Sequence, residues 1–70
     1  RPTNLEILRN RAKLSQAMLS QLSGVSLRSI QMYEQRKNDI DKAQAHTLYK
    51  LSVALGCNME DLLERPNRND

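Results

Sequence analysis

The sequence predicts an all-α fold, a compact five-helix bundle, and three observations lead to this expectation. Apolar residues recur every three or four positions in several segments, which is the spacing of one helix face. Ser, Thr or Asn stands just before four of these segments and Gly follows two of them, as at helix starts and ends. No segment alternates apolar and polar residues as a half-buried strand does.

The first two helices are predicted from their caps. Thr3 or Asn4 is expected to cap a first helix that extends to about Lys13. Ser15 is expected to cap a second helix at residues 16–23. Leu14 is an apolar connector between the two helices.

A glycine turn separates the second helix from the third. Gly24 can end the second helix because glycine adopts the left-handed conformation without steric penalty. Val25 is expected to turn inward, and Ser26 to cap a third helix at residues 27–35. Two helices joined by such a turn form a helix-turn-helix. Its expected apolar anchors are Leu19, Leu22, Val25, Ile30 and Tyr33.

The rest of the chain is predicted as a loop and two further helices. Residues 36–42 are polar apart from Ile40, which is expected to fix this loop to the core. A fourth helix is expected at residues 43–55, closed by Gly56, and a short fifth helix at 59–64. These elements favour one domain at residues 1–64 with a polar tail at residues 65–70.

Composition limits the classes of function. The single Cys57 excludes an internal disulfide, no Cys/His spacing resembles a metal site, and no cofactor is expected. The acids are expected at caps or on exposed helix faces, without the paired groups that catalysis needs, so an enzyme is not expected. No apolar run approaches the roughly 20 residues that span a bilayer, so a soluble, cytoplasmic protein without a membrane partner is expected.

The charge is unevenly distributed. Of the formal net charge of +3, residues 1–37 carry seven Lys/Arg and two acids, whereas residues 38–70 carry four Lys/Arg and six acids. The positive half contains the helix-turn-helix, which favours docking of a polyanion in one orientation. Small soluble domains also carry such imbalances by chance.

The third helix is expected to present a mixed face to a partner. Arg28 could bind guanine O6 and N7, and Gln31 could pair with adenine or a phosphate. Leu27 and Met32 either contact thymine methyl groups or cover the edge of the core. For Arg28 the alternative is an ordinary solvated surface charge.

Five sequence elements, in this order, resemble the phage-repressor type of helix-turn-helix domain, the lambda, Cro and Xre-like group. They are L-R at 8–9, L-S-Q at 14–16, L-S-Q-L-S-G-V-S at 19–26, I-Q-M-Y-E at 30–34 and L-G-C-N-M-E-D-L-L at 55–63. The resemblance covers about residues 5–63 and implies a lambda-repressor-like domain. It also implies that the third helix enters the DNA major groove. The DNA-binding residues implied are Gln16, Ser26, Leu27, Arg28, Ser29, Gln31, Met32, Arg36, Lys37 and Asn38.

Comparison with the family pattern gives three further expectations. Arg9 and Glu34 stand where the family often makes a semi-buried ion pair, which is structural. Ser20 replaces the usual Ala, which is tolerable if its hydroxyl bonds to a carbonyl oxygen. Arg36 replaces a common Gly, and because a left-handed Arg costs on the order of 1 kcal/mol, another loop path is expected.

The leading hypothesis is sequence-specific binding of double-stranded DNA by a bacterial or phage-type transcriptional regulator. A homodimer through the C-terminal half, around residues 59–63, would bind a two-fold operator. One alternative is a protein-interaction module that uses the exposed Leu27 and Met32. A second alternative keeps DNA binding but makes the domain part of an antitoxin or a larger regulator.

Overall fold

A computed structural model describes residues 1–65, which form four α-helices and two 3₁₀ turns and contain no strand. The helices are α1 (Asn4–Arg11), α2 (Gln16–Ser23), α3 (Leu27–Glu34) and α4 (Ala45–Leu55). The 3₁₀ turns are Ile40–Lys42 and Met59–Leu62. Apart from Arg65, the predicted tail at residues 65–70 lies outside the described residues.

Side-chain caps begin the first three helices, as the sequence predicted. Thr3, Ser15 and Ser26 each accept a hydrogen bond from the amide three residues later, at 3.0 or 3.1 Å. Thr3, rather than Asn4, is therefore the cap of α1. These bonds satisfy amides that have no partner inside the helix, which fixes where each helix starts.

Four residues with positive φ end the helices, and only two of them are glycine. Gly24 (φ 79°) and Gly56 (φ 68°) take the left-handed conformation as predicted. Lys13 (φ 61°) and Arg36 (φ 59°) take it as well. At Lys13 this ends α1 earlier than expected, and at Arg36 it corrects the expectation of a different loop path. A side chain other than Gly accepts this conformation only where other contacts compensate for its cost.

The predicted fifth α-helix is a single 3₁₀ turn, which corrects the five-helix count to four α-helices in residues 1–65. Leu62 is fully buried, and Leu63 then turns to an extended conformation with ψ 144°. The Leu63 carbonyl oxygen accepts a hydrogen bond from Asn4 Nδ2 at 2.8 Å, and Asp41 accepts one from the Glu64 amide at 2.7 Å. These long-range bonds use backbone groups that a longer helix would need.

The core joins all four helices and both 3₁₀ turns. Ile40 is 3% exposed and fixes the loop after α3 to the core, as predicted. Leu22 is 64% exposed, so its prediction as an apolar anchor is wrong. Leu19 on the same helix points inward instead and is fully buried. The buried apolar residues are Leu5, Leu19, Val25, Ile30, Ile40, Leu48, Leu51 and Leu62.

Candidate nucleic-acid interface

The turn between α2 and α3 is held from both sides of Val25. Ser20 Oγ donates a hydrogen bond to the Val25 carbonyl oxygen at 2.7 Å. The Val25 amide donates to Ser23 Oγ at 3.0 Å, and the Val25 side chain is buried. The expectation that the Ser20 hydroxyl finds a carbonyl is confirmed. Because both backbone groups of Val25 are bonded, the angle between α2 and α3 is fixed locally.

A second link fixes α3 against α1 and the start of α2. The Glu34 carboxylate accepts from Arg9 Nε at 2.7 Å, from Arg9 Nη2 at 3.1 Å and from Gln16 Nε2 at 2.9 Å. Arg9 Nη1 also donates to the Leu14 carbonyl oxygen at 2.8 Å. The expected ion pair is therefore present, and it is joined to the connection between α1 and α2.

This ion pair lies mostly out of solvent. The side chains of Arg9 and Glu34 are 12% and 5% exposed. The hydrogen bond to Glu34 raises the pKa of Arg9 above its ordinary value, against the opposing effect of burial. Since Arg9 keeps its proton up to that raised pKa, the stability it contributes persists across the neutral and moderately basic range. A buried pair of this kind is costly to break, because either partner alone is left as an unpaired charge.

The outer face of α3 offers a small set of accessible side chains. Ile30 is fully buried, whereas Leu27 is 38% exposed and Arg28 is exposed. Gln31 and Met32 are half-buried, so they are less accessible than the sequence suggested. Within residues 1–65, the guanidinium of Arg28 forms neither an ion pair nor a hydrogen bond. A cation and an apolar group thus stand together at the start of α3.

The other predicted contact residues lie at the two ends of α3. Ser26 is exposed and Ser29 is half-buried, and their hydroxyl groups are 2.9 Å apart. After α3, the Met32 carbonyl oxygen accepts hydrogen bonds from the amides of Lys37 at 2.9 Å and Asn38 at 3.2 Å. The loop is therefore attached to the end of the helix, with the side chains of Lys37 and Asn38 exposed.

Two predicted phosphate contacts are already engaged inside the domain. Gln16 donates to Glu34, as described above. Arg36 Nη2 donates to Glu64 Oε1 at 3.1 Å, and its Nη1 donates to the Arg1 carbonyl oxygen at 2.6 Å. Sequence reasoning had no signal for either contact, because the partners are 18 to 35 residues away.

One residue on the same face was not predicted. Gln35 directly follows α3 with a near-helical backbone and is exposed. It stands seven positions after Arg28 and four after Gln31, which places it on the face that these residues share. The helical spacing itself was the signal that could have found it.

Within residues 1–65, the structure offers no group of three or more His, Cys, Asp or Glu side chains that could hold a metal ion. None of the helices in that range has the length and apolar character that crossing a membrane requires.

The four helices and the fixed turn between α2 and α3 define a helix-turn-helix domain. The sequence profile of the helix-turn-helix family matches residues 5–62. The chain therefore belongs to this family, in its lambda-repressor and Xre-like form, which is a family of DNA-binding transcription regulators. Comparison with curated proteins and with solved structures gives no match.

Proposed function

We propose that this domain binds double-stranded DNA sequence-specifically as part of a bacterial or phage-type transcription regulator, with α3 in the major groove. The observation that carries the proposal is the exposed start of α3, held rigidly on α1 and α2 by the Glu34 and Val25 hydrogen bonds. An α-helix with its side chains is about 10–12 Å in diameter, which suits a major groove about 12 Å wide.

Base contacts are proposed for the exposed face of α3. The guanidinium of Arg28 can donate two hydrogen bonds to guanine, at O6 and N7. Within residues 1–65 it has no other hydrogen-bond partner. Gln31 would pair with adenine, and Gln35 would extend the same face. Leu27 and Met32 would contact thymine methyl groups, with Met32 contributing less because it is half-buried.

Phosphate contacts are proposed on both sides of the groove. On one side lies the start of α2 with Gln16, whose amide would have to exchange Glu34 for a phosphate. Ser26 and Ser29 precede and begin α3, and Lys37 and Asn38 lie beyond its end. Together these residues would fix the register of the helix, whereas the base contacts would supply sequence preference.

A homodimer on a two-fold operator is part of the proposal. In residues 59–63, which were expected to form the dimer surface, Leu62 is fully buried and Met59 and Leu63 pack partly against the core. That segment therefore offers chiefly Glu60 and Asp61 to a partner. Sedimentation equilibrium with and without a two-fold duplex would measure the assembly directly.

A titration with mixed-sequence and selected duplexes at two salt concentrations tests the proposal. We expect micromolar or tighter binding that weakens steeply with salt, since phosphate contacts release counterions. The double variant Arg28→Ala, Gln31→Ala should lose the preference for the selected sequence. Wild-type protein that fails to bind any duplex at low salt would refute DNA binding.

A protein-interaction module is the second candidate, and exposed apolar side chains favour it. Leu22, Tyr49 and Val53 are 64%, 57% and 62% exposed, and Leu27 adds a fourth apolar group. If this use is correct, Leu22→Ser or Val53→Ser would abolish a partner contact and leave DNA titrations unchanged. Loss of DNA binding only in α3 variants would favour the first candidate.

A further inference from the structure

The segment after the second 3₁₀ turn contacts both the start of α1 and the first 3₁₀ turn. We name residues 63–65 the clasp. Its Leu63 carbonyl oxygen accepts from Asn4 Nδ2 at 2.8 Å, and its Glu64 Oε2 accepts from the Asn4 amide at 2.7 Å. Its Glu64 amide donates to Asp41 Oδ1 at 2.7 Å. The clasp therefore spans from the start of α1 to the first 3₁₀ turn.

The same clasp holds the loop after α3 at two places. At the start of the loop, Glu64 Oε1 accepts from Arg36 Nη2 at 3.1 Å. At the other end, Arg65 donates to Asp41 Oδ2 at 3.0 Å and to Asp39 Oδ2 at 2.7 Å. Lys37 and Asn38 lie between these two attachment points, and their amides are bonded to the end of α3.

Arg36 has an unusual backbone for its residue type. Its φ of 59° is one that residues other than glycine rarely adopt. The amides of the next two residues, Lys37 and Asn38, donate hydrogen bonds to the Met32 carbonyl oxygen. Its side chain spans the distance to Glu64 and to the Arg1 carbonyl oxygen. A glycine would relieve the backbone at this position but would leave Glu64 without its ion pair.

We infer that the clasp orders the loop after α3, and that Glu64 is a positioning residue that acts through Arg36 to present Lys37 and Asn38 to the DNA backbone. This inference rests on the proposed DNA binding. A loop that is ordered before binding loses less conformational freedom on binding, and the saving appears as affinity. Arg36 then serves the interface through Glu64, without contacting a phosphate itself.

The neutral variant Glu64→Gln separates this inference from a simple effect of net charge, because the two predict opposite changes in DNA affinity. Removing a negative charge from a DNA-binding domain should strengthen binding through the long-range field. Loss of the clasp should instead weaken it, and we expect the Kd to rise by about three- to tenfold. Glu60→Gln is the matched control: Glu60 is exposed, and its carboxylate has no hydrogen bond within residues 1–65. If Glu64→Gln binds as tightly as Glu60→Gln, the inference is overturned.

Arg36→Gln tests whether Arg36 acts on the loop or on the DNA. A phosphate contact contributes about 0.9 to the slope of log affinity against log salt concentration. We expect Arg36→Gln to weaken binding with the wild-type slope, because Lys37 still reaches its phosphate in the complex and only the cost of ordering the loop increases. A slope reduced by about one unit would assign Arg36 to a phosphate and contradict the inference.

Hydrogen exchange in the free protein gives a readout that needs no DNA. We expect the amides of Lys37 and Asn38 to exchange faster in Glu64→Gln than in wild type, while the Leu51 amide in the core keeps its rate. Unchanged exchange in a variant that stays folded would overturn the ordering role. Wild-type protein that binds no duplex would refute the proposed function, whereas faster loop exchange would still establish the clasp.

Discussion

Glu34 is the residue on which the geometry of the interface most depends. Its carboxylate joins Arg9 and Gln16, so it connects the end of α3 to α1 and α2. Only 5% of its side chain is exposed, which makes its loss a loss of internal structure. A surface acid such as Glu60 has no comparable role in the described residues.

Glu34→Ala should destabilise the domain by about 3 kcal/mol, because it leaves the Arg9 guanidinium out of solvent without its partner. Urea unfolding followed by circular dichroism measures this as a lower midpoint at constant slope. For Glu60→Ala we expect a change within about 0.5 kcal/mol. Similar midpoints for the two variants would show that the pair contributes little.

Cys57 gives a prediction about pH. Burial raises the pKa of its thiol, and the negative charge of Asp61 raises it further. The unfolded chain then ionises first, so stability falls as pH rises from the unfolded pKa of about 8.5 through the higher folded value. Iodoacetamide alkylation should show a higher pH midpoint in native protein than in urea, and Cys57→Ser should remove the decline in stability. A native midpoint at or below that in urea would contradict this.

At the scale of elements, the helix ends differ in how they reach the left-handed conformation. Gly24 and Gly56 adopt it at no steric cost, whereas Lys13 and Arg36 do not. Arg36 has an ion pair that depends on its side chain. The Lys13 side chain is exposed and forms no hydrogen bond within residues 1–65. Replacing Lys13 by glycine would therefore remove the backbone strain without the loss of an ion pair that the same change would cause at Arg36.

Lys13→Gly should stabilise the domain by about 0.5–1 kcal/mol, the difference between the steric penalty removed and the entropy that glycine adds. Thermal unfolding would show a melting temperature higher by several degrees. Arg11→Gly makes the same change inside the last turn of α1 and should lower stability by up to about 1 kcal/mol. If both variants shift in the same direction, backbone conformation at position 13 is not the cause.

At the scale of the whole molecule, the positive charge lies on the half that contains α2 and α3. Lys37 lies beside the end of α3, and Lys50 lies on α4 in the acidic half. A polyanion that docks on α3 should therefore distinguish between two lysines of equal charge.

Lys37→Gln should weaken DNA binding and reduce the salt slope by about 0.9, as expected for one lost phosphate contact. Lys50→Gln removes the same charge from α4 and should change the affinity less, with the slope unaltered. Fluorescence anisotropy titrations over a range of salt concentrations measure both quantities. Equal losses in the two variants would mean that only net charge matters.

The sequence by itself determined the all-α class, the starts of α2 and α3, and the glycine turns at Gly24 and Gly56. It also predicted the accessible start of α3, because the cap at Ser26 sets which residues share a face with Arg28. These features depend on bonds and spacings within a few residues, which the order of residue types specifies directly.

Only the tertiary structure decided which side chains form hydrogen bonds inside the domain and where the predicted helix does not form. The 3₁₀ turn in place of a fifth α-helix, the exposure of Leu22 and the engagement of Gln16 and Arg36 all depend on partners far away in the chain. Local propensity carries no information about such partners, since packing and long-range hydrogen bonds routinely override it. The all-α class and the exposed start of α3 were therefore predictable, whereas the clasp that supports its loop was not.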